Sequence, residues 1–208
     1  MNPEVVSEII GKIKSLWTVS NELEITLEAN PSSVEAIKFK DYQLAGINRL
    51  SVGVQALNNM DLKRLGRLHS ATEAINAIEI SNSIFSQTSF DLIYARQEQT
   101  IDDWSAELER ALRLQTGHIS LYQLTIEQGT AFGSLYKSGK LRGLATDDHS
   151  ATLYELTQSL CNKYNLPAYE VSNHAKPGSE SKHNLIYWRY GDYLGIGPGA
   201  HGLSLIHI

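Results

Sequence analysis

Four short runs rich in β-branched and apolar residues recur through the first part of the chain, and helical apolar spacing fills the stretches between them. The runs are Leu23–Ala29 (LEITLEA), Arg49–Gln55 (RLSVGVQ), Ser89–Tyr94 (SFDLIY) and His118–Ile126 (HISLYQLTI). Strands alternating with helices in this way imply right-handed βαβ units and a parallel sheet. Such sheets present their ligand-binding side chains at the C-terminal ends of the strands. The expected fold class is therefore α/β, with parallel strands alternating with helices. The polar residues at the strand ends are Glu28, Gln55, Asp91, and Gln123 or Thr125.

Local signals place the helices. Val5, Val6, Ile9, Ile10, Ile13 and Leu16 follow a helical period behind Pro3, which suits a first helical turn. Ser32-Ser33-Val34-Glu35 and Ser70-Ala71-Thr72-Glu73 read as capping boxes. The first opens a helix toward Leu44 that Gly46 ends, and the second a helix to about Ser81. Between them, Met60–Leu65 is helix-like. Thr100 with Asp103 starts another helix, on which Ile101, Trp104, Leu108 and Leu112 share a face. Beyond Gly129 the texture changes. Glycines at 133, 139 and 143 punctuate small turns around a short helix at Phe132–Lys137, followed by a longer helix over Thr146–Tyr164 and a strand-like Ala168–Ser172. His183–Trp188 (HNLIYW) and Gly195–Gly202 (GIGPGAHG) come near the end.

Composition excludes several classes. Apolar residues make up 42% and charged residues 20%, with a net charge of -5 and no long Lys/Arg run. That balance argues against a dedicated nucleic-acid or membrane-surface protein. No apolar run approaches the roughly 20 residues a membrane span requires, and the N-terminus does not read as a signal peptide, so a cytoplasmic protein is expected. The one cysteine, Cys161, sits in an amphipathic helical pattern and reads as a small core hydrophobe. Neither an internal disulfide nor a cysteine-based metal site can be built from it.

LEANP at 27–31, RLSVGVQ at 49–55, RLGRLH at 64–69, DLIY at 91–94, HISLYQLTIE at 118–127, HNLIYW at 183–188 and GIGPGAHG at 195–202 occur in order. Together they resemble the radical S-adenosylmethionine (radical SAM) proteins related to oxygen-independent coproporphyrinogen III oxidase. Within that group, His183-Asn184-x-x-Tyr187-Trp188 is most similar to the HemW-type haem chaperones. The resemblance runs from about residue 1 to 202 and implies a partial, truncated TIM-like barrel. Residues 1–128 would form the later barrel strands, 129–202 a family-specific extension, and 203–208 (LSLIHI) a non-native tail. The family's CxxxCxxC loop, which holds a [4Fe-4S] cluster, is not in this sequence, and neither is the family's C-terminal domain. Met1 is accordingly expected to be an internal start. The first strand would then have lost its neighbour and would present an unpaired edge, which makes folding marginal. Where the family commonly reads DLIYGLPGQT, this chain has Ala95-Arg96-Gln97-Glu98-Gln99-Thr100 after DLIY, a loop expected to be less kinked and more charged.

The resemblance also implies roles. Glu28, Gln55, Arg67 and Asp91 would hold S-adenosylmethionine. Arg67 would fork its carboxylate, and the other three would share its ribose diol and ammonium. Read without the resemblance, Glu28 and Asp91 suit helix caps or surface ion pairs better than a ligand site. Arg67 reads as a solvated helix-end cation, distinguished by its spacing of 12 from Gln55. Thr125 would touch the cofactor through its backbone or simply pack in the barrel, and His201 would lie against the adenine. His183 and Tyr187, at i and i+4, share a face if the segment is helical, with Trp188 beside them. A neutral imidazole ligates haem iron and aromatic rings shield a porphyrin, so this motif would handle haem. The competing reading is a histidine over an aromatic core cluster. The remaining histidines, His69, His118, His149 and His174, read as ordinary surface or core residues.

The function implied is that of a fragment of a haem chaperone, binding haem and passing it to acceptor proteins. The alternative is a coproporphyrinogen oxidase-like enzyme of porphyrin biosynthesis. A single cysteine cannot supply the three thiolates the cluster takes from this family's motif, so the chain alone is expected to be inactive in radical chemistry.

Overall fold

The structure, a computed structural model, describes residues 1–114 and 117–204. Its elements run in the order α1 (Pro3–Leu16), β1 (Thr26–Ala29), α2 (Ser33–Ala36), α3 (Phe39–Leu44), β2 (Arg49–Gln55), α4 (Asn59–Arg64), α5 (Ala71–Ile84), β3 (Gln87–Tyr94), α6 (Ile101–Leu112), β4 (His118–Gln123), α7 (Ala131–Lys137), α8 (Asp147–Lys163), β5 (Asn173–Ala175) and α9 (Lys182–Trp188). One sheet carries the strands in the order β1-β2-β3-β4-β5, the first four parallel and the last antiparallel.

The alternation along each strand separates two faces. Leu50, Val52 and Val54 of β2, Phe90, Leu92 and Tyr94 of β3, and Ile119 and Leu121 of β4 are buried on one of them. The helices cover that face with Phe39, Ala77, Ile78, Trp104, Leu108, Leu153 and Leu160. The opposite face carries Thr26 and Glu28, Arg49 and Ser51, Ser89 and Asp91, and His118, Ser120 and Tyr122, which the strand register sets side by side. A sheet apolar on one side and polar on the other is the arrangement from which a ligand-lined barrel interior is made.

Cap chemistry starts the helices where the sequence places them. Ser70 and Glu73, and Thr100 and Asp103, form complete capping boxes. Ser32 accepts from the Glu35 N–H, while the Glu35 carboxylate reaches back to the Asn30 N–H at 2.7 Å. The side chains at 33 and 34 lie outside the described residues, as do residues 205–208 of the expected tail. The helix expected from there to Leu44 is two helices, broken where Ile37 turns to solvent so that Phe39 and Tyr42 can enter the core. Trp104, Leu108 and Leu112 are buried as expected, but Ile101, at the helix start, is exposed.

Two strand expectations are corrected. The fourth strand ends at Gln123, because the Leu124 N–H turns to the Tyr94 carbonyl (2.9 Å) and the chain leaves the sheet; Thr125 is therefore an exposed loop residue. The strand expected at Ala168–Ser172 is displaced to Asn173–Ala175. Ala168 only bridges to His174, and Asn173 wins the place beside β4 by accepting the buried Ser120 hydroxyl at 2.5 Å. The free edge of β1 is as expected: among the described residues it pairs only with β2.

Cys161 is fully buried in α8, and burial pushes its thiol up to about 12. Because the thiolate is the reactive form, the native chain should not react with an aromatic disulfide reagent at pH 8 over minutes, and one thiol should titrate once urea unfolds it. Rapid labelling of the folded chain would contradict that burial. No helix among the described residues is long and apolar enough to cross a membrane.

Candidate functional site

The C-terminal end of β2 is fastened from every side. Asp91, in the middle of β3, accepts the Val54 N–H at 2.8 Å through one carboxylate oxygen and the Gln55 amide through the other. The Val54 carbonyl accepts a hydrogen bond from His69 Nε2 at 3.1 Å, so that ring nitrogen carries the proton. Gln55 itself has φ +73, the left-handed region that non-glycine residues seldom occupy. That turn folds its side chain back over the polar face instead of continuing the strand. Strain of this kind, about 1–2 kcal/mol, persists only where surrounding bonds over-determine it, and it concentrates at ligand sites.

Arg67 arrives by a helix-ending turn. After α4, Gly66 takes φ +73, the Gly66 N–H reaches the Lys63 carbonyl, and the Arg67 N–H reaches the Leu62 carbonyl at 2.8 Å. This is a Schellman arrangement, and it sets Arg67 down where its charge acts on Asp91. Burial dominates at that carboxyl and raises it to about 6; the Val54 N–H, Arg67 and Gln55 pull in the opposite direction. Glu28 lies on the same sheet face, beside Ser51 of β2 and exposed. The structure thus brings together Gln55, Asp91 and Arg67, with Glu28 on the adjoining strand. Thr125 and His201 are exposed loop residues, and the described hydrogen bonds leave both out of this cluster.

Beneath the cluster lies Arg96, in the loop where the sequence departs from DLIYGLPGQT. Instead of adding charge to an open loop, Arg96 is 3% exposed. It pairs with Glu107 of α6 and with Asp61 of α4 at 2.9 Å, and donates to the Ile93 carbonyl at 2.9 Å and the Gln55 carbonyl at 3.4 Å. Nor is the loop less kinked. Ala95 (φ +56) and Glu98 (φ +57) adopt left-handed conformations at the two positions where the family pattern has glycine. The Glu98 N–H to the Gly143 carbonyl (2.7 Å) and the Arg64–Glu98 ion pair hold that turn closed.

A cavity of about 270 Å³ lies on the polar face, between Arg49, Ser89, His118 and Tyr122 below and Ser181, His183 and Asn184 of the α9 end above. On α9, the His183 and Tyr187 rings meet edge to face with centroids 4.8 Å apart, which is the shared helical face that their spacing implies. Tyr193 packs on Tyr187 at 4.5 Å, and Trp188 is exposed. The GIGPGAHG loop folds back through paired hydrogen bonds between Tyr193 and Leu203. A Cβ at Gly195 would lie 2.4 Å from the His201 carbonyl, so only glycine allows that closure. The His201 backbone is thereby packed against Gly195, and its described contacts leave it out of the Asp91 cluster.

From sequence, Arg49, Ser120 and Tyr169 carry no assigned role, His69 and His118 read as ordinary surface or core residues, Arg96 as a loop charge, and Asn184 only as a member of the haem motif. The signal for the sheet residues is a period-two recurrence of polar side chains inside apolar strands, at 49 and 51, 89 and 91, and 118, 120 and 122.

No protein-family profile matches the chain. It is 40% identical over 195 residues to heme chaperone HemW of Escherichia coli, covering 93% of this chain and 50% of that protein. To heme chaperone HemW of Haemophilus influenzae it is 42% identical over 200 residues, 96% of this chain and 51% of the relative. A mitochondrial radical S-adenosyl methionine domain-containing protein 1 from Danio rerio is 36% identical over 206 residues, covering 99% of this chain and 46% of that protein. The chain spans about half the length of the curated relatives it matches. Among solved structures, E. coli coproporphyrinogen III oxidase HemN, a radical SAM enzyme, superposes with a TM-score of 0.78 at 19% identity, over 97% of this chain and 49% of HemN. At that identity the likeness establishes the fold, a partial radical SAM barrel of TIM-like type. Radical SAM proteins as a group use S-adenosylmethionine and a [4Fe-4S] cluster. Homology over nearly the whole chain and the barrel likeness agree: the chain is a homologue of proteins called heme chaperone HemW and carries the partial barrel fold of a radical SAM protein.

Proposed function

We propose that the chain is part of a cytoplasmic haem chaperone, binding haem at His183, Tyr187 and Trp188 for transfer to acceptor proteins. We propose in addition that it holds S-adenosylmethionine with Glu28, Gln55, Arg67 and Asp91. Residues 1–128 are then the barrel part and 129–202 the extension that carries the haem motif. The observation carrying the haem reading is α9. It buries none of its side chains, and it displays a histidine and a tyrosine in ring contact with an exposed tryptophan beside them. A helix contributing nothing to the core, with an imidazole and flat apolar rings facing outward, suits a planar iron porphyrin. The relatives' names point the same way. The oxidase-like reading is supported only by the barrel likeness, at an identity that speaks for fold alone.

The S-adenosylmethionine reading is supported by the chemistry of the donor set. A carboxylate and an amide already aimed across one sheet face, with a guanidinium beside them, suit a ligand bearing a diol, an ammonium and a carboxylate. The cofactor would supply an alkyl sulfonium, and these residues would bind and orient it. A [4Fe-4S] cluster does not fit this chain, because the family's motif supplies three thiolates and Cys161 is alone and buried. Hemin titrated into the chain should develop a Soret band, and His183→Ala should weaken binding about tenfold or more and change that band. Binding and spectrum unchanged in the variant would remove His183 from the site.

A further inference from the structure

A seven-residue helix without a single buried side chain does not stand by itself, since one turn of hydrogen bonds does not repay helix nucleation. Something else must hold α9 in place, and the holding contacts lie at its first turn. Arg49 donates to the Ser179 carbonyl at 2.9 Å, and Glu24 accepts the Lys182 N–H at 2.9 Å. Both grip the backbone leading into the helix and leave its rotation free. Side chains of the helix are held at Lys182, whose ammonium donates to the Glu22 carbonyl at 2.7 Å, and at Tyr187, against Tyr193, but the contact nearest His183 on the sheet side is made by Tyr169. Its hydroxyl accepts from Asn184 Nδ2 at 2.9 Å and from the Ser181 N–H at 3.4 Å.

The same hydroxyl lies 2.7 Å from His118 Nε2 on the polar face of β4. With its lone pairs taken by Asn184 and Ser181, the hydroxyl donates its proton to His118, which fixes Nε2 as the acceptor and the ring as neutral. Burial and the nearby Arg49 charge lower His118 to about 3, so this arrangement holds across the physiological range. Asn184 follows His183 directly, and successive residues on a helix point about 100° apart. An asparagine tethered to the sheet therefore sets the direction in which His183 and Tyr187 face.

We propose that Tyr169, seated on His118 and holding Asn184, is a positioning residue that sets the rotation of α9 and so presents His183 and Tyr187 to an iron porphyrin. This rests on the haem reading above. It assigns no chemistry to Tyr169, and its consequence is orientation: without the hydroxyl, Asn184 loses its anchor and the imidazole no longer meets the iron in one geometry.

The test is hemin titration of the 208-residue chain, followed at the Soret band, in Tyr169→Phe, Asn184→Ala, the double variant and His183→Ala. Tyr169→Phe and Asn184→Ala should each weaken hemin binding about tenfold. Each should also move the Soret maximum at saturating hemin toward that of His183→Ala, a change in coordination that lost stability alone would not produce. The double variant should be no worse than either single one, because both remove the same bond. If His183→Ala alters the band but Tyr169→Phe and Asn184→Ala keep wild-type affinity and spectrum, or act additively, the positioning role is overturned and the haem reading stands. If His183→Ala itself changes nothing, the haem reading falls and this proposal with it. Should Tyr169→Phe fail to fold, the half-exposed Asn184→Ala decides alone.

Discussion

Arg96→Ala should destabilise the chain by about 3–5 kcal/mol, the largest effect expected of any single substitution here. The arginine is buried between Asp61 and Glu107, and removing it takes away the cation they share. Among the described residues that leaves Glu107 without an ion pair and Asp61 with only the longer contact to the half-exposed Arg64 at 3.6 Å. It also frees the Gln55 and Ile93 carbonyls and releases a turn in which Ala95 and Glu98 are held left-handed. With a denaturant dependence of roughly 2–3 kcal/mol per molar urea for a chain of this size, the midpoint should fall by about 1.5 M, or the variant should not fold at all. Two companions separate the causes. Arg96→Leu combined with Asp61→Asn and Glu107→Gln keeps acceptors for the Asn58 amide and the Leu57 N–H while deleting every charge, and should recover most of the loss. Ala95→Gly should stabilise the chain by about 1 kcal/mol, raising the midpoint by roughly 0.4 M, since glycine adopts that conformation without strain. An Arg96→Ala midpoint within 0.3 M or so of wild type would show that the triad is dispensable.

Arg96 also marks where sequence reading stops. The strands were legible because each is a local pattern, and Arg49–Gln55 has the bounds its composition gives it. The boxes at Ser70/Glu73 and Thr100/Asp103 were legible because donor and acceptor lie three residues apart. What was not legible is long-range pairing. Asn173 displaces its neighbours into the sheet through a bond to Ser120, 53 residues away. Tyr169 reaches His118 across 51. Arg96 read as a loop charge because the acids that neutralise it come from two other helices.

The candidate site divides in the same way. Gln55, Asp91 and Arg67 followed from motifs whose spacing is kept, and geometry gathers them. His183 and Tyr187 came from the resemblance to the family's motif, and their i, i+4 spacing added only the shared helical face. The parts that hold those residues in place, His69 under Val54 and Tyr169 under Asn184, carry no motif. Support of this kind is invisible to periodicity because it is built from single polar residues on separate elements. It is nevertheless what fixes the rotation of α9 and the left-handed turn at Gln55.

Asp91→Asn should weaken S-adenosylmethionine binding by about ten- to hundredfold while leaving the fold at least as stable near pH 8. The loss follows from removing a charged acceptor from a cationic ligand, worth roughly 1.5–3 kcal/mol. The stability follows from the sign of the proton linkage. Burial raises the Asp91 carboxyl from 3.8 to about 6, so the folded chain binds the proton more tightly than the unfolded one. Asp91 therefore carries no penalty below pH 3.8, a growing one as pH rises from 3.8 to 6, and a constant one above, on the order of 3 kcal/mol. Asparagine keeps an acceptor for the Val54 N–H, the Gln55 amide can turn to meet its NH₂, and the penalty disappears. Urea midpoints should accordingly decline between pH 4 and 6 more steeply for wild type than for Asp91→Asn. Cofactor affinity should rise through pH 6 in wild type, as the carboxylate ionises, and stay level in the variant. Equilibrium dialysis with labelled S-adenosylmethionine at pH 5 and pH 8 reads the second effect. Equal affinities at both pH values in wild type would mean that Asp91 does not face the ligand. A variant that binds like wild type would take the carboxylate out of the site and leave Asp91 as the residue that merely ties β3 to the end of β2.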